Sequence, residues 1–329
     1  MENTVQKMLS LFATNAQMIN KEFIWQNKLT KRSAALLYAK ENKPIDCEAI
    51  RQCHTITKQS TGILSAFRGD MTLFVAALLS LSPDPMRLFS ETLTVYDMLR
   101  EAKFYKSYYL AIAAYEIAAL ADAYKHSDVV ARTRAFYEGM KANRFFRTGQ
   151  DDYIFAAMLG LSDLDVTLGV DRIEKIYSRL KSEFWDKNSV QALAQVLVLG
   201  GSDDVVVDRV LSLRDALREI KIKLDKSYTL TALGILAMLP AENNVLIRDI
   251  DEAQMILRSQ KGFGPWFVTT QEILLFAAAV VASVHSQNLT DDALSATLPT
   301  SIANIIIAQQ VTMLEIIAAS AYVTSSTSS

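Results

Sequence analysis

One junction recurs along the chain and constrains its folding more than any other feature. In Phe104-Tyr105-Lys106-Ser107-Tyr108 an aromatic pair closes one amphipathic segment. A cation and a small hydroxyl residue follow, and then a run rich in Ala and Leu begins. The pattern returns as Phe184-Trp185-Asp186-Lys187-Asn188-Ser189 before Ala192-Leu193-Ala194, and as Lys226-Ser227-Tyr228 before Ala232-Leu233. From Asp70 onward the spacing is roughly 36 to 45 residues, the range of helical arrays. Apolar small-residue helices are expected to begin near Asp70, Ser107, Asp151, Ser189, Ser227 and Thr269. Each is followed by a turn such as Ser82-Pro83-Asp84-Pro85, Gly200-Gly201-Ser202-Asp203 or Pro240-Ala241-Glu242-Asn243. A helix with a single apolar stripe comes next; Val206, Val210, Leu213, Leu217, Ile220, Leu224 and Ile173, Ile176, Tyr177, Leu180, Phe184 are the clearest.

The two helix types belong in different places. A helix apolar nearly all round must be covered on most sides, whereas a single stripe covers it from outside and turns charge to water. Inner helices stacked side by side with outer helices behind them predict an all-α protein of tandem helical hairpins, as an α/α superhelix or an α/α toroid. Residues 1–69 read as an N-terminal helical cap, 70–323 as the hairpin body of the same domain, and 324–329 as a disordered tail. Ala113, Ala194 and Ala232 should be buried, and Arg214, Lys221 and Arg258 should lie on outer faces.

Composition enters as a set of exclusions. With 34 basic and 36 acidic residues, no global field invites nucleic acid or an anionic membrane. Two cysteines, Cys47 and Cys53, exclude a disulfide framework, and no secretory leader is visible, so a cytoplasmic setting is expected. The apolar stretch Ile302–Val323 carries Asn304, Gln309, Gln310 and Glu315 and is read as a buried helix rather than a membrane span.

Glu22-Phe23-Ile24-Trp25-Gln26-Asn27-Lys28-Leu29-Thr30-Lys31, Ser60-Thr61-Gly62-Ile63-Leu64-Ser65-Ala66-Phe67-Arg68-Gly69 and Ala308-Gln309-Gln310 together resemble an uncharacterised bacterial family, mostly from Firmicutes, known as a domain of unknown function. The resemblance implies a cytoplasmic bacterial protein and carries over no catalytic residue.

Chemical motifs are sparse. Cys47, Cys53 and His54 lack the spacing and the fourth ligand of a zinc site, so no metal or other cofactor is expected. There is no nucleophile elbow and no phosphate loop; Gly200-Gly201-Ser202 reads as a turn. Asp70 and Asp151 are explained as helix N-caps, which leaves Asp152 less explained. If the units stack in register, Arg68, Lys106, Lys187 and Lys226 share one rim with Tyr105, Trp185 and Trp266, beside the positive ends of the inner helices. That rim would suit an anionic or sugar-like ligand. The preferred, plainer reading makes its aromatics core plugs and has Asp152, Asp186 and Asp225 neutralise its cations. The leading expectation is a non-enzymatic scaffold binding a protein or a small polar ligand. The alternative is an α/α-ring enzyme acting on a carbohydrate or similar polar substrate, with two acids across a pocket.

Overall fold

The computed structural model describes residues 2–69, 71–142, 148–201, 204–226 and 229–287. Asp70, Ser202-Asp203, Ser227-Tyr228, the Ile302–Val323 helix and the tail lie outside the described residues, so the readings placed on them stay as sequence expectations. Among the described residues there are fourteen α-helices and no strand, which makes the protein all-α. In chain order they are α1 (Glu2–Glu22), α2 (Lys28–Lys40), α3 (Cys47–Gln59), α4 (Met71–Ser80), α5 (Pro85–Glu101), α6 (Tyr108–Leu120) and α7 (His126–Ala142). They continue as α8 (Tyr153–Leu161), α9 (Val166–Leu180), α10 (Lys187–Leu199), α11 (Asp204–Glu219), α12 (Leu230–Met238), α13 (Asn243–Ser259) and α14 (Thr270–Gln287).

Local chemistry sets the helix starts. Asn27, Asp46, Asp84, Ser107, Asp165 and Asp186 each accept a bond from a free N–H of the first turn that follows. Thr269 and Glu272 make a reciprocal capping box, with Thr269 Oγ1 accepting from Glu272 N at 3.2 Å and Thr269 N donating to Glu272 Oε2 at 2.7 Å. Two caps differ from the sequence reading. Asp186 rather than Ser189 starts α10, and Asp151 sits inside a 3₁₀ turn, Gln150–Asp152, rather than at a cap. At the other terminus of the outer helices, Lys103 and Lys221 take left-handed conformations (φ 67° and 65°), and the next residues, Phe104 and Ile222, drop into the core. Their N–H groups reach back to Leu99 O and Leu217 O, the closure usually given to glycine.

Even-numbered helices are the inner set. α4, α6, α8 and α12 are buried along nearly their whole length, while α9 and α11 bury one stripe each. Ala113, Ala194 and Ala232 are all buried. The tightest pairs are α1/α2, α3/α4, α5/α6 and α7/α8, so each hairpin runs outer helix first, then inner. That reverses the order read from the sequence. Most outer-to-inner turns are the longer ones and bury an aromatic or aliphatic plug such as Phe67, Phe104, Phe184, Leu224 or Phe263. α1/α2 and α3/α4 pack as hairpins in the same way as the later pairs. Among inner helices, α2 packs on α4, α6 on α8, α8 on α10, α10 on α12 and α12 on α14. The last described hairpin then returns to the first: α14 packs on α1 and α2, and α13 on α1. Phe12 meets Phe263 and Phe276 there, with ring centroids 5.3 and 5.2 Å apart.

Candidate functional site

Contacts between neighbouring hairpins fix which ends of the inner helices lie together. Tyr105 N, before α6, donates to Tyr153 Oη at the start of α8 (3.2 Å), and Arg32, early in α2, reaches Phe267 O just before α14 (3.0 Å). At the opposite end Tyr38 Oη bonds Ser80 Oγ (2.7 Å), and Gln287 Nε2 donates to Lys40 O (3.2 Å). These neighbours therefore run parallel, with their outer-to-inner turns side by side.

The turn aromatics divide in two. Phe67, Phe104, Phe184 and Phe263 are buried plugs, so the plainer reading holds for them but not for Tyr105, Trp185 and Trp266, which it also made core. Tyr105 is 69% exposed, Trp185 97% and Trp266 96%. Trp25, in the first such turn and absent from the sequence-based set, is 96% exposed. The cations divide as well. Arg68 is held by its own turn, donating to Thr61 Oγ1 (3.1 Å), Thr61 O (2.6 Å) and Lys58 O. Lys187 Nζ donates to Phe184 O (2.9 Å) and Lys181 O. Lys106 and Lys226 are exposed.

The carboxylates expected to neutralise them have other partners. Asp186 caps α10 through Asn188 N and Ser189 Oγ, and Asp225 pairs with Arg218. Asp152 is buried, with Oδ1 accepting from Gln191 Nε2 (2.9 Å) and Gln195 Nε2 (2.7 Å) and Oδ2 from Gly149 N (2.8 Å). Burial first, then adjacent Asp151, push its carboxyl up to about 7, and the three donors pull it back. With both oxygens engaged, Asp152 stitches α8 to α10 and is not presented to a substrate. Cys47 and Cys53 are free thiols, and burial raises Cys53 to about 11, far from a reactive thiolate.

Sequence reasoning missed a cavity of about 390 Å³ where the last hairpin meets the first. Gln17, Asn20 and Lys21 of α1, Lys28, Lys31 and Arg32 of α2, and Lys261 to Phe263 with Phe267 of the α13–α14 turn line it. No carboxylate is among the described lining residues. Arg32 is tied down, donating to Gly262 O and Phe267 O with Glu272 Oε1 at 3.8 Å. Lys31 is only 4% exposed, and its ammonium has no hydrogen-bond or ion-pair partner among the described residues. Burial lowers its pKa, and Lys28 and Arg32 lower it further. The available signal was three cations, Lys28, Lys31 and Arg32, opening a helix that is buried from Leu29 to Lys40. Burial of that helix depends on contacts from the far end of the chain, so local pattern hid it.

A second cavity, about 610 Å³, opens at the opposite end beside Lys40, Tyr115, Asp84, Arg87 and Asp122. Behind it lies buried Glu116, whose Oε1 has no hydrogen-bond partner. Burial pushes Glu116 up to about 8 and Lys40 down to about 8, each opposed by the other's charge.

The fold and these sites define an all-α protein of outer–inner hairpins with an aromatic-studded end, a cationic seam cavity and no described group of residues suited to a metal. The chain belongs to the family described as a protein of unknown function, DUF4003, whose model matches residues 15–311. No curated protein and no solved structure matches it.

Proposed function

We propose that this protein is a non-enzymatic helical-repeat scaffold, closed as an α/α ring, that docks its outer-to-inner-turn end on an acidic surface of a protein partner. The observation that carries this is the exposure of all three tryptophans. Trp25, Trp185 and Trp266 stand in such turns almost wholly in solvent, and beside Trp185 and Trp266 the plug positions are already filled by Phe184 and Phe263. A large aromatic left in water adds nothing to stability, and Trp is the residue most enriched in interface hot spots.

Charge supports the acidic character of the partner. The near-zero net charge conceals a polarity. Lys103, Lys106, Lys221, Lys223, Lys226 and Lys261 in the outer-to-inner turns outweigh acids there such as Glu183, Asp186 and Asp225, whereas Asp46, Asp84, Asp122, Asp165 and Glu242 outweigh Lys43 and Lys125 at the inner-to-outer turns. Opposite charge steers such a face onto its target and makes association salt-sensitive. A ring enzyme cleaving a glycoside would need two carboxyls turned toward its substrate, and the candidate Asp152 spends its acceptors inside the fold. Two free thiols fit a cytoplasmic setting, and no described helix is long and apolar enough to cross a membrane.

The test compares the wild type with a Trp25→Ala/Trp185→Ala/Trp266→Ala variant as bait for proteins of the source cell. The expected result is a partner retained by the wild type, released by raised salt and lost with the variant, while the variant's melting temperature stays unchanged. Equal capture by both baits would refute the docking face.

A further inference from the structure

We infer that the cavity between the first and last hairpins is a binding site for a phosphorylated small molecule, with its phosphate oxygens on Lys28, Lys31 and Lys261. The inference is independent of what docks on the tryptophan-bearing end.

Its basis is an uncompensated charge. An ammonium removed from water is costly unless something anionic or hydrogen-bonding replaces the lost hydration. The Lys31 side chain is almost fully buried and its ammonium has no partner among the described residues, yet Nζ is not sealed, so the hydration it keeps comes from the cavity that an anion would fill. Glu272, on the neighbouring helix α14, is spent on Arg32 and on Thr269 N. Lys28 and Lys261 add two more cations at the mouth rather than relieving the first. The cations also open α2, at the end of a helix where the backbone dipole already favours an anion. Asn27 Oδ1 caps that end, accepting from Leu29 N (2.8 Å) and Thr30 N (3.4 Å), so recognition falls to the lysine side chains. Arg32 is fixed by two turn carbonyls and shapes the wall.

The cavity also says how large the ligand is. About 390 Å³ falls in the range of small-molecule sites and exceeds the needs of a bare phosphate ion. Gln17 and Asn20, three residues apart on one face of α1, add amides to the lining, and the Phe267 ring, 5.9 Å from Lys28 Nζ, adds an aromatic edge. That combination suits a phosphate joined to a polar body.

The experiment uses the full chain, inorganic pyrophosphate as the soluble probe, and phosphatidylcholine vesicles containing phosphatidylglycerol as the lipid probe. Calorimetric titration of wild type with pyrophosphate should show saturable, salt-sensitive binding, weakened at least ~10-fold by Lys31→Met. The same substitution should raise the melting temperature of the ligand-free protein, because it removes a buried charge. Lys28→Gln, at an exposed position, should weaken binding without moving the melting temperature, and Trp185→Ala should leave binding unchanged. If vesicles alone are retained, and Lys31→Met abolishes the retention, the phosphate belongs to a lipid headgroup at the same site. The inference fails if neither probe binds wild type, or if Lys31→Met binds as wild type does. It fails equally if Lys31→Met lowers the melting temperature and Lys28→Gln has no effect on binding.

Discussion

Arg214 shows how far a single residue can depart from its helical address. Its position on α11 marks it as an outer-face cation, yet it is 8% exposed. Its guanidinium lies 5.3 Å from the Phe184 ring and bonds Glu183 Oε2 (2.9 Å) and Asp215 Oδ1 (2.7 Å). Periodicity gives the direction in which a side chain leaves its helix. It does not say whether a long stem folds back over a neighbouring turn. Arg214→Gln is therefore expected to cost about 1–3 kcal/mol in urea denaturation, rather than the few tenths of a surface exchange. A change below about 0.5 kcal/mol would show the clamp to be idle. The aromatic pairs teach a related lesson. Phe184 and Trp185 are both apolar and adjacent, so composition cannot decide which one plugs the core; the path of the turn decides it.

At the scale of helices, hairpin geometry turns on close approach. A Cβ on Gly160 of α8 would lie 2.4 Å from Thr133 Oγ1 and 2.8 Å from Thr133 N on α7, so backbone would have to move. On Gly234 of α12 the Cβ would lie 2.4 Å from the terminal Cδ1 of Leu193, which can swing aside. Gly160→Ala should cost about 1–3 kcal/mol by chemical denaturation, and Gly234→Ala distinctly less. Equal losses would mean that the α7/α8 spacing is not set by this glycine. Arginines brace the same hairpins: Arg132 donates to Gly160 O, Ser162 O and Leu164 O, and Arg209 to Leu239 O and Asn243 Oδ1. Helix existence and type were legible in the sequence because apolar runs and stripes repeat many times. The pairing of helices was not, because an outer helix has apolar stripe enough to face either neighbour.

For the whole molecule, the informative titration is that of Glu116 and Lys40, with Glu41 and Tyr115 in the same cluster. Between 4.5 and about 8 the folded Glu116 keeps a proton the unfolded chain has lost, so stability falls as pH rises. Between about 8 and 10.5 the unfolded chain holds a proton that folded Lys40 has lost, so stability recovers. The pair should place a minimum of stability near pH 8, and Glu116→Gln should make the acid limb shallower, leaving the share due to Asp152. Urea midpoints measured from pH 5 to 10 would decide it, and an unchanged acid limb in the variant would remove the assignment. Neither this cluster nor the seam cavity was legible in the sequence. Each joins segments far apart in the chain, such as Lys40 with Glu116 and Lys31 with Lys261, without a local signal at either end.

Arg32 binds carbonyls of Gly262 and Phe267, residues 230 and 235 positions further along. On a ribosome, those partners do not yet exist when α1 and α2 emerge. Most hairpins can settle on the one made just before, but the first must wait with its cationic side uncovered until the seventh arrives. Binding at the seam therefore reports that synthesis has reached α14, and a chain cut short before it would expose Lys31 and Arg32 to whatever acidic surface the cell offers.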